Sequence, residues 1–298
     1  MCGIAGIFAP DANLEWKERI FRKLLFASQQ RGTDATGIAF IGQDGKLVVD
    51  KEGVRASEFI SKSETMKGLK TYFPSLIIGH TRAATRGSGG PTENRNNHPF
   101  VSDVMGVALI HNGLISNDDD WRKTVGKPNG LINTPESDVD SEVMLRAIET
   151  FYLRHLEDEN YSFENCIDDA TYCVAGSYAL AIVKEDSPTD LWLVRHKSPI
   201  AIAWVPKHKA IVFASTVAIL EAALSHTRYV MDFFNETTVT KSVINEISDD
   251  QLVHITYIGD EKAPFCIDVK NLECSPEPGR MAEEKEIDAE ITQEIEQY

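Results

Sequence analysis

Apolar side chains recur at two spacings along the chain, and each spacing predicts one kind of secondary structure. A period of three to four residues, typical of amphipathic helices, runs through residues 11–30, 139–152 and 164–174. Short apolar runs bounded by polar turns, typical of strands, occupy residues 3–7, 38–41, 46–50, 76–79, 104–110, 178–183, 191–194, 200–205, 211–214 and 252–258. Two helices thus separate two blocks of mostly antiparallel strands, which predicts an α+β fold with two stacked sheets and helices outside them.

Polar and glycine-rich stretches predict how these elements are connected. Residues 87–99 are rich in glycine, asparagine and proline and are predicted to form a loop. Residues 56–72 are predicted to be helical, and residues 121–135 to make a surface excursion. Ser137 or Asp138 is expected to lie near the N-cap of the helix that follows.

Length and charge narrow the class of protein. The 298 residues are enough for one large domain, predicted over residues 2–258, with a C-terminal extension over 259–298 whose acidic end is expected to be solvated. A formal net charge of −16 argues against nucleic-acid binding, which depends on clustered Lys and Arg. No apolar window reaches the ~20 residues of a membrane span, and no signal-peptide pattern precedes the first strand. We therefore expect a cytoplasmic protein that does not associate with membranes.

The remaining composition gives no sign of a metal or cofactor. The five cysteines are scattered without a Cys-x-x-Cys pair, so neither a disulfide framework nor a zinc site is indicated. The chain contains no Walker A loop and no dinucleotide-binding fingerprint. We expect chemistry that is carried by side chains alone.

The dipeptide Met1-Cys2 is the most informative feature for chemistry. Removal of Met1 would leave a thiol and a free α-amino group on one residue. A thiol needs a base to become a good nucleophile, and an α-amino group with a pKa of roughly 7.7–8.0 can take its proton. The alternative is a short N-terminal strand that carries a buried cysteine without chemical function.

Three further sites could bind a charged substrate or stabilise an oxyanion. Asn112 and Gly113 follow an apolar strand and offer a side-chain amide and a backbone N–H, although Asn-Gly is also a common hairpin turn. Arg82 ends another strand and could clamp a carboxylate or form a structural salt bridge. Asp138 or Asp140 could bind an ammonium group or simply complement the helix dipole.

Taken in order, these motifs resemble the class II glutamine amidotransferase domain, the N-terminal-nucleophile type found at the start of glucosamine-6-phosphate synthase. The resemblance covers roughly residues 2–258 and implies a four-layer αββα sandwich. It rests on Met1-Cys2-Gly3-Ile4-Ala5-Gly6-Ile7-Phe8, Arg31-Gly32-x-Asp34-x-x-Gly37, Gly79-His80-Thr81-Arg82-x-x-Thr85, Asn97-His98-Pro99-Phe100, His111-Asn112-Gly113-Leu114-Ile115 and Ser137-Asp138-x-Asp140-Ser141-Glu142-Val143.

The resemblance also implies a role for each motif. Cys2 would attack the side-chain amide of glutamine, its α-amino group would act as base, and a γ-glutamyl thioester would form. The other implied roles are the oxyanion hole for Asn112 and Gly113, the α-carboxylate site for Arg82 and Thr85, the α-ammonium site for Asp140, and support for Arg31, Arg86 and His98.

Two positions depart from the family pattern, and three hypotheses stay open. Ala83 stands where an aromatic residue is usual, and Arg86 where the synthase subgroup often has histidine. One hypothesis is a stand-alone glutaminase that passes ammonia to a separate synthase, because only residues 259–298 follow the last predicted strand. The others are a hydrolase of γ-glutamyl amides or peptides and a catalytically silent binding module.

Overall fold

The computed structural model describes residues 2–84, 90–128, 130–224 and 243–274. Within these ranges its strands form two antiparallel sheets. The strands of sheet A, in spatial order, are β11 (Val243–Glu246), β9 (Ala201–Val205), β10 (Ala210–Ala214), β1 (Gly3–Phe8), β4 (Leu76–Arg82), β2 (Ala35–Ile41) and β3 (Leu47–Glu52). Those of sheet B are β13 (Phe265–Asn271), β12 (Gln251–Tyr257), β8 (Ser187–His196), β7 (Gly176–Lys184), β6 (Val107–Ile115) and β5 (Phe100–Ser102).

The helices cover the outer faces of the two sheets. They are α1 (Leu14–Ser28), α2 (Ala56–Lys62), α3 (Glu64–Lys67), α4 (Leu69–Tyr72), α5 (Asp118–Arg122), α6 (Asp140–Arg154), α7 (Phe163–Cys173) and α8 (Val217–Leu224). Helices α1 and α8 pack on sheet A, while α6 and α7 pack on sheet B. A third apolar cluster lies between the sheets, so the predicted four-layer αββα arrangement is confirmed. None of the helices in the described ranges has both the length and the apolar character that a bilayer crossing demands.

Strand β1 lies at the centre of sheet A. All six of its residues are buried, and it pairs with β4 on one side and β10 on the other. A strand of apolar residues with neighbours on both edges has no freedom to move, because its backbone groups are paired and its side chains are enclosed. Cys2 precedes this strand and is therefore held in place at the end of the central strand of sheet A.

One expectation about local structure is wrong, and the structure makes two others more specific. Residues 56–72 are helical, as predicted, and form three short helices. Helix α6 has Val139 at its N-cap and no side-chain capping bond, since the Glu142 carboxylate accepts the N–H groups of Glu136 and Ser137 and organises the preceding turn. Residues 121–135 are not a surface excursion throughout, because Trp121 and Leu131 are buried in the core beside α6.

The C-terminal part of the described chain continues sheet B. Strand β13 pairs with β12 along its whole length, from Phe265 to Asn271. The division of the chain at residue 258 stays a prediction. The acidic end of the extension lies outside the described residues.

Candidate active site

The predicted site residues come from the ends of β1, β4 and β6 and from the first residue of α6. Gly3 pairs with Thr81 across β1 and β4, so Cys2 and Arg82 are the next neighbours along these strands. The Cys2 thiol lies 3.7 Å from the carbonyl oxygen of Ala83. The structure thus places the predicted nucleophile beside the predicted carboxylate clamp.

His80 joins the two sheets directly beneath this site. Its Nε2–H donates a hydrogen bond of 3.0 Å to the carbonyl oxygen of His111, which connects β4 of sheet A to β6 of sheet B. Burial lowers the pKa of His80 to about 3, so the ring is neutral at physiological pH and can hold this single tautomer. The bond lies two residues from Arg82 and one from Asn112, and therefore fixes their separation.

Asn112 and Gly113 lie inside β6 and do not form a hairpin turn, because β7 pairs with β6 along residues 107–115. The side chains of Ala108 and Ile110 occupy the core between the sheets. Asn112 shares their face by the two-residue period of a strand and is buried, so its amide points toward sheet A, where Cys2 lies. The geometry allows the amide to serve as an oxyanion donor.

Gly113 has a backbone conformation that other residues rarely adopt. Its φ is +149°, and a Cβ at this position would lie 1.9 Å from the carbonyl oxygen of Ser177 on β7. Because that neighbour is backbone, it cannot move aside without breaking the sheet. Glycine is therefore required for β6 to carry Asn112 into the site while staying paired with β7.

Arg82 is buried and hydrogen-bonded. Its Nη1 donates to Oδ1 of Asn97 at 2.7 Å, which fixes one edge of the guanidinium. Burial lowers the pKa of Arg82, and the nearby Cys2, Asp34 and Asp140 oppose that shift. These groups are consequently close enough to interact electrostatically with one cation.

Asp140 begins α6 and faces the same region. Its Oδ2 accepts a hydrogen bond of 2.7 Å from the N–H of Ile115, the last residue of β6. Asp140 as a whole is only 6 % exposed, so the interaction of its carboxylate with a cation is stronger than in water. One cation and one anion, Arg82 and Asp140, thus lie within electrostatic range of the thiol of Cys2.

The thiol itself is not ionised by its surroundings. Burial raises the pKa of Cys2 above its ordinary value, and the positive charge of Arg82 only partly offsets this, while Asp140 raises it further. A thiol in this environment remains protonated at neutral pH. The arrangement therefore needs a base close to sulfur before attack can occur.

The predicted supporting residues surround the site. Arg31 donates from Nε to the carbonyl oxygen of Cys2 at 2.8 Å and so holds the residue before β1. His98 is buried with its ring centroid 3.9 Å from that of His80, and neither of its ring nitrogens has a hydrogen-bond partner among the described residues. Burial and the two neighbouring histidines lower its pKa well below the ordinary value. Thr85 and Arg86 lie outside the described residues.

Sequence reasoning missed two residues that organise the site. Asn97 accepts the bond from Arg82, and Asp34 accepts one from the N–H of Ala84 at 2.7 Å. Both lie in motifs that the sequence analysis quotes, but nothing in local spacing shows which distant strand they contact. A pattern along the chain cannot reveal a contact that only the fold creates.

A possible cation site lies away from these residues. In the part of the chain that the structure describes, ligand atoms of His196, Asp250 and Cys274 lie within 4.8 Å of one another. His196 and Asp250 are hydrogen-bonded to each other, which accounts for their proximity without an ion. The predicted reaction residues do not include this group.

Comparisons with known proteins show which family this chain resembles. A family model described as a glutamine amidotransferase domain matches residues 80–222. Glutamine–fructose-6-phosphate aminotransferase (isomerizing) of Fusobacterium nucleatum is 32 % identical over 229 residues, which is 74 % of this chain and 33 % of that protein. The enzyme of the same name from Clostridium perfringens is 27 % identical over 315 residues, 99 % of this chain and 47 % of that protein.

A solved structure shares the fold. Glutamine phosphoribosylpyrophosphate amidotransferase of B. subtilis superposes with a TM-score of 0.63 at 19 % identity, covering 91 % of this chain and 49 % of that one. The chain spans 33 % of the length of the Fusobacterium nucleatum enzyme and 47 % of that of the Clostridium perfringens enzyme.

Proposed function

Because this chain belongs to the class II glutamine amidotransferases, we propose that it releases ammonia from the side-chain amide of glutamine, with Cys2 as nucleophile. The observation that carries the proposal is the position of Cys2. It lies at the head of the central strand, next to Arg82, with Asp140 in electrostatic range of both. Glutamine is a zwitterion with one amide, and these groups match its three polar ends.

The proposed binding mode follows from charge. Arg82, together with Thr85, takes the α-carboxylate of glutamine, and Asp140 takes the α-ammonium group. Arg31, Arg86 and His98 support this arrangement without touching the reacting atoms. With both ends of the amino acid held, the side-chain amide is directed at the thiol of Cys2, which gives the proximity that an attack requires.

The proposed reaction begins with proton transfer. Removal of Met1 would give Cys2 a free α-amino group, and this group takes the thiol proton, since burial disfavours the thiolate. Sulfur attacks the amide carbon, and the oxygen receives hydrogen bonds from the Asn112 side chain and the Gly113 N–H. The amine returns the proton to the departing nitrogen, so that ammonia leaves and a γ-glutamyl thioester remains. Water then hydrolyses the thioester to glutamate and the free thiol.

The destination of the ammonia is a second part of the proposal. We propose a separate synthase as acceptor in the cytoplasm, where thiols stay reduced. Ammonia released into water is protonated and loses its nucleophilicity, so productive use requires an acceptor close by. The fate of the ¹⁵N label tests whether a separate acceptor exists. Glutamine labelled with ¹⁵N in its side-chain amide is incubated with the native chain, with and without the proteins that co-purify with it. Transfer of ¹⁵N into an organic product only with the co-purified fraction supports a separate acceptor, whereas ¹⁵N found only as ammonium in both samples contradicts it.

A second candidate activity is hydrolysis of γ-glutamyl peptides, and Ala83 favours it. The methyl side chain of Ala83 is half-buried and adjoins Arg82, where a bulky residue would close the space around a leaving group. Rates of glutamate release from glutamine and from a γ-glutamyl dipeptide separate the two candidates. Turnover of glutamine at less than a tenth of the dipeptide rate, a gap of ~1.4 kcal/mol, would reject the amidotransferase. Ala83→Trp should then suppress the dipeptide reaction selectively.

The same assay tests catalysis itself. Cys2→Ala should abolish glutamate release, and Cys266→Ala, which removes an exposed cysteine on β13, should leave it unchanged. Activity in the Cys2→Ala protein would contradict the mechanism. An inactive wild-type protein that also shows no saturable binding of glutamine would favour a silent binding module.

A further inference from the structure

The segment between α1 and β2 makes bonds that the proposed reaction does not use. Residues 31–34 contain Arg31, which holds Cys2, and Asp34, which faces the end of β4. One short loop, residues 31–34, thus contacts both Cys2 before β1 and the residues that follow β4. Asp34 contributes the contacts to the Arg82 side of the site.

Asp34 makes two hydrogen bonds to the end of β4 and the residues that follow it. Its backbone N–H donates to the carbonyl oxygen of Arg82 at 2.9 Å, and its Oδ2 accepts from the N–H of Ala84 at 2.7 Å. The regular pairing of β2 with β4 ends at Ala35 and Arg82. The carboxylate therefore extends the hold on the chain two residues beyond the ladder, to the point where the strand leaves the sheet.

Gly32 permits this close approach. A Cβ on Gly32 would lie 2.3 Å from the carbonyl carbon of Arg82 and 2.5 Å from the backbone nitrogen of Ala83. The loop therefore packs directly on the peptide between these residues. Ala83 in turn offers its carbonyl oxygen to the Cys2 thiol.

We propose that Asp34 is a positioning residue that fixes the backbone of residues 82–84, and thereby sets the place of the Arg82 guanidinium for the α-carboxylate of the substrate. The inference rests on the proposed function, because Arg82 is taken as the carboxylate site. Asp34 touches no substrate and takes no part in proton transfer. Its loss should weaken substrate binding more than it slows the chemical step.

Two substitutions separate the hydrogen bond from the charge. Asp34→Ala removes the acceptor and leaves the Ala84 N–H without its bond, whereas Asp34→Asn keeps an acceptor oxygen and removes only the charge. Asp44→Ala is a matched control, since the Asp44 carboxylate also accepts a backbone N–H, from Lys46, in the exposed turn at the other end of β2.

Backbone amide exchange tests whether the hydrogen bond from the Ala84 N–H to Asp34 fixes this segment. In Asp34→Ala the Ala84 amide should exchange at least tenfold faster than in wild type, while Asp34→Asn and Asp44→Ala stay within threefold of wild type. Unchanged exchange in Asp34→Ala would overturn the inference, as would equal acceleration in Asp34→Asn. This measurement decides the hold even if wild type fails to hydrolyse glutamine, an outcome that would count against the proposed function alone.

Kinetics test the positioning. Asp34→Ala should raise KM for glutamine at least fivefold with kcat within threefold of wild type, and Asp34→Asn should restore most of the affinity. Alkylation of Cys2 by iodoacetamide, which has no carboxylate for Arg82, should change less than threefold. A KM within twofold of wild type despite accelerated exchange, or an equal loss of alkylation and turnover, would contradict a positioning role.

Discussion

The Asp140 carboxylate accepts a hydrogen bond from the backbone N–H of Ile115 at 2.7 Å. This bond joins the start of α6 to the end of β6, two residues after Gly113. The proposed ammonium site and the proposed oxyanion donors therefore belong to one rigid unit of sheet B. A substrate bound at Asp140 is held at a constant distance from the donors that its amide oxygen must reach.

Asp140→Asn should reduce kcat/KM for glutamine by about 10- to 100-fold. The amide still accepts the Ile115 N–H, so the fold is kept, but a charge-assisted bond worth ~1.5–3 kcal/mol to the α-ammonium group is lost. Competition between glutamine and its analogue without the amino group measures this directly. The wild-type preference for glutamine should largely disappear in the variant, and a retained preference would place the ammonium elsewhere.

Asn112→Ala should lower kcat by about 10²–10³, the usual effect of removing one oxyanion donor, worth ~2.7–4 kcal/mol. KM should change little, because the amide oxygen gains most of its charge only in the transition state. Steady-state kinetics with glutamine, with thermal unfolding to confirm the fold, provide the measurement. A loss confined to KM would assign Asn112 to ground-state binding.

Gly113→Ala should destabilise the fold much more than Gly45→Ala. Both glycines have positive φ, but a Cβ on Gly45 meets nothing within 4 Å, whereas one on Gly113 would lie 1.9 Å from the Ser177 oxygen. Gly45→Ala should thus show only the conformational cost of ~1–2 kcal/mol. Chemical denaturation of the two variants gives the comparison, and equal losses would contradict the close packing of β6 on β7.

We expect the interactions of His254 to make a pH-dependent contribution to the free energy of unfolding. Its ring is bonded to Glu164 at 3.1 Å and to Asp190 at 2.6 Å, joining α7, β8 and β12. Burial alone would lower the pKa of His254, but the bond to Asp190 and the charge of Glu164 raise it above its ordinary value. The stabilisation is complete below the unfolded pKa of ~6.5 and is lost as pH rises through the folded pKa.

The measurement is the free energy of unfolding of wild type and His254→Gln at pH 6 and pH 9. The advantage of wild type should be larger at pH 6. His208→Gln is the comparison with opposite sign, since burial and the charges of Lys207 and Arg19 lower the pKa of His208. Its contribution should be present above pH ~6.5 and fall with acidification. The same trend in both variants would contradict the assignment.

The layers of the fold could be predicted from the sequence, and candidate site residues could be proposed from it, because both depend on patterns within single segments. Apolar periodicity locates the strands, and the chemistry at strand ends indicates Cys2 and Arg82. Asp140 is indicated only by the family resemblance, because an acidic residue at the start of a helix is also explained by the helix dipole. Asn112 and Gly113 show the limit of this reasoning. Their local signal favours a hairpin turn over a donor pair, and only the pairing of β6 with β7 over residues 107–115 excludes the turn.

Contacts that only the fold creates could not be predicted. Asn97 is hydrogen-bonded to Arg82, and Asp34 to Ala84. The residues of each pair lie in different segments, and residue spacing does not predict how the loops between them run. The burial of Trp121 and Leu131 likewise follows from the folding of a polar segment onto α6. In each case tertiary packing overrides a local preference for exposed loop.

In the proposed reaction, Cys2 is the N-terminal residue after loss of Met1 and carries the acyl group. Mass spectrometry of the intact protein and its N-terminal peptide, after incubation with a diazo-ketone analogue of glutamine, tests this most directly. We expect one adduct per chain, on the sulfur of a Cys2 that lacks Met1, with protection by excess glutamine. An adduct on Cys166 or Cys274, or a chain that stays unlabelled with Met1 in place, would contradict it.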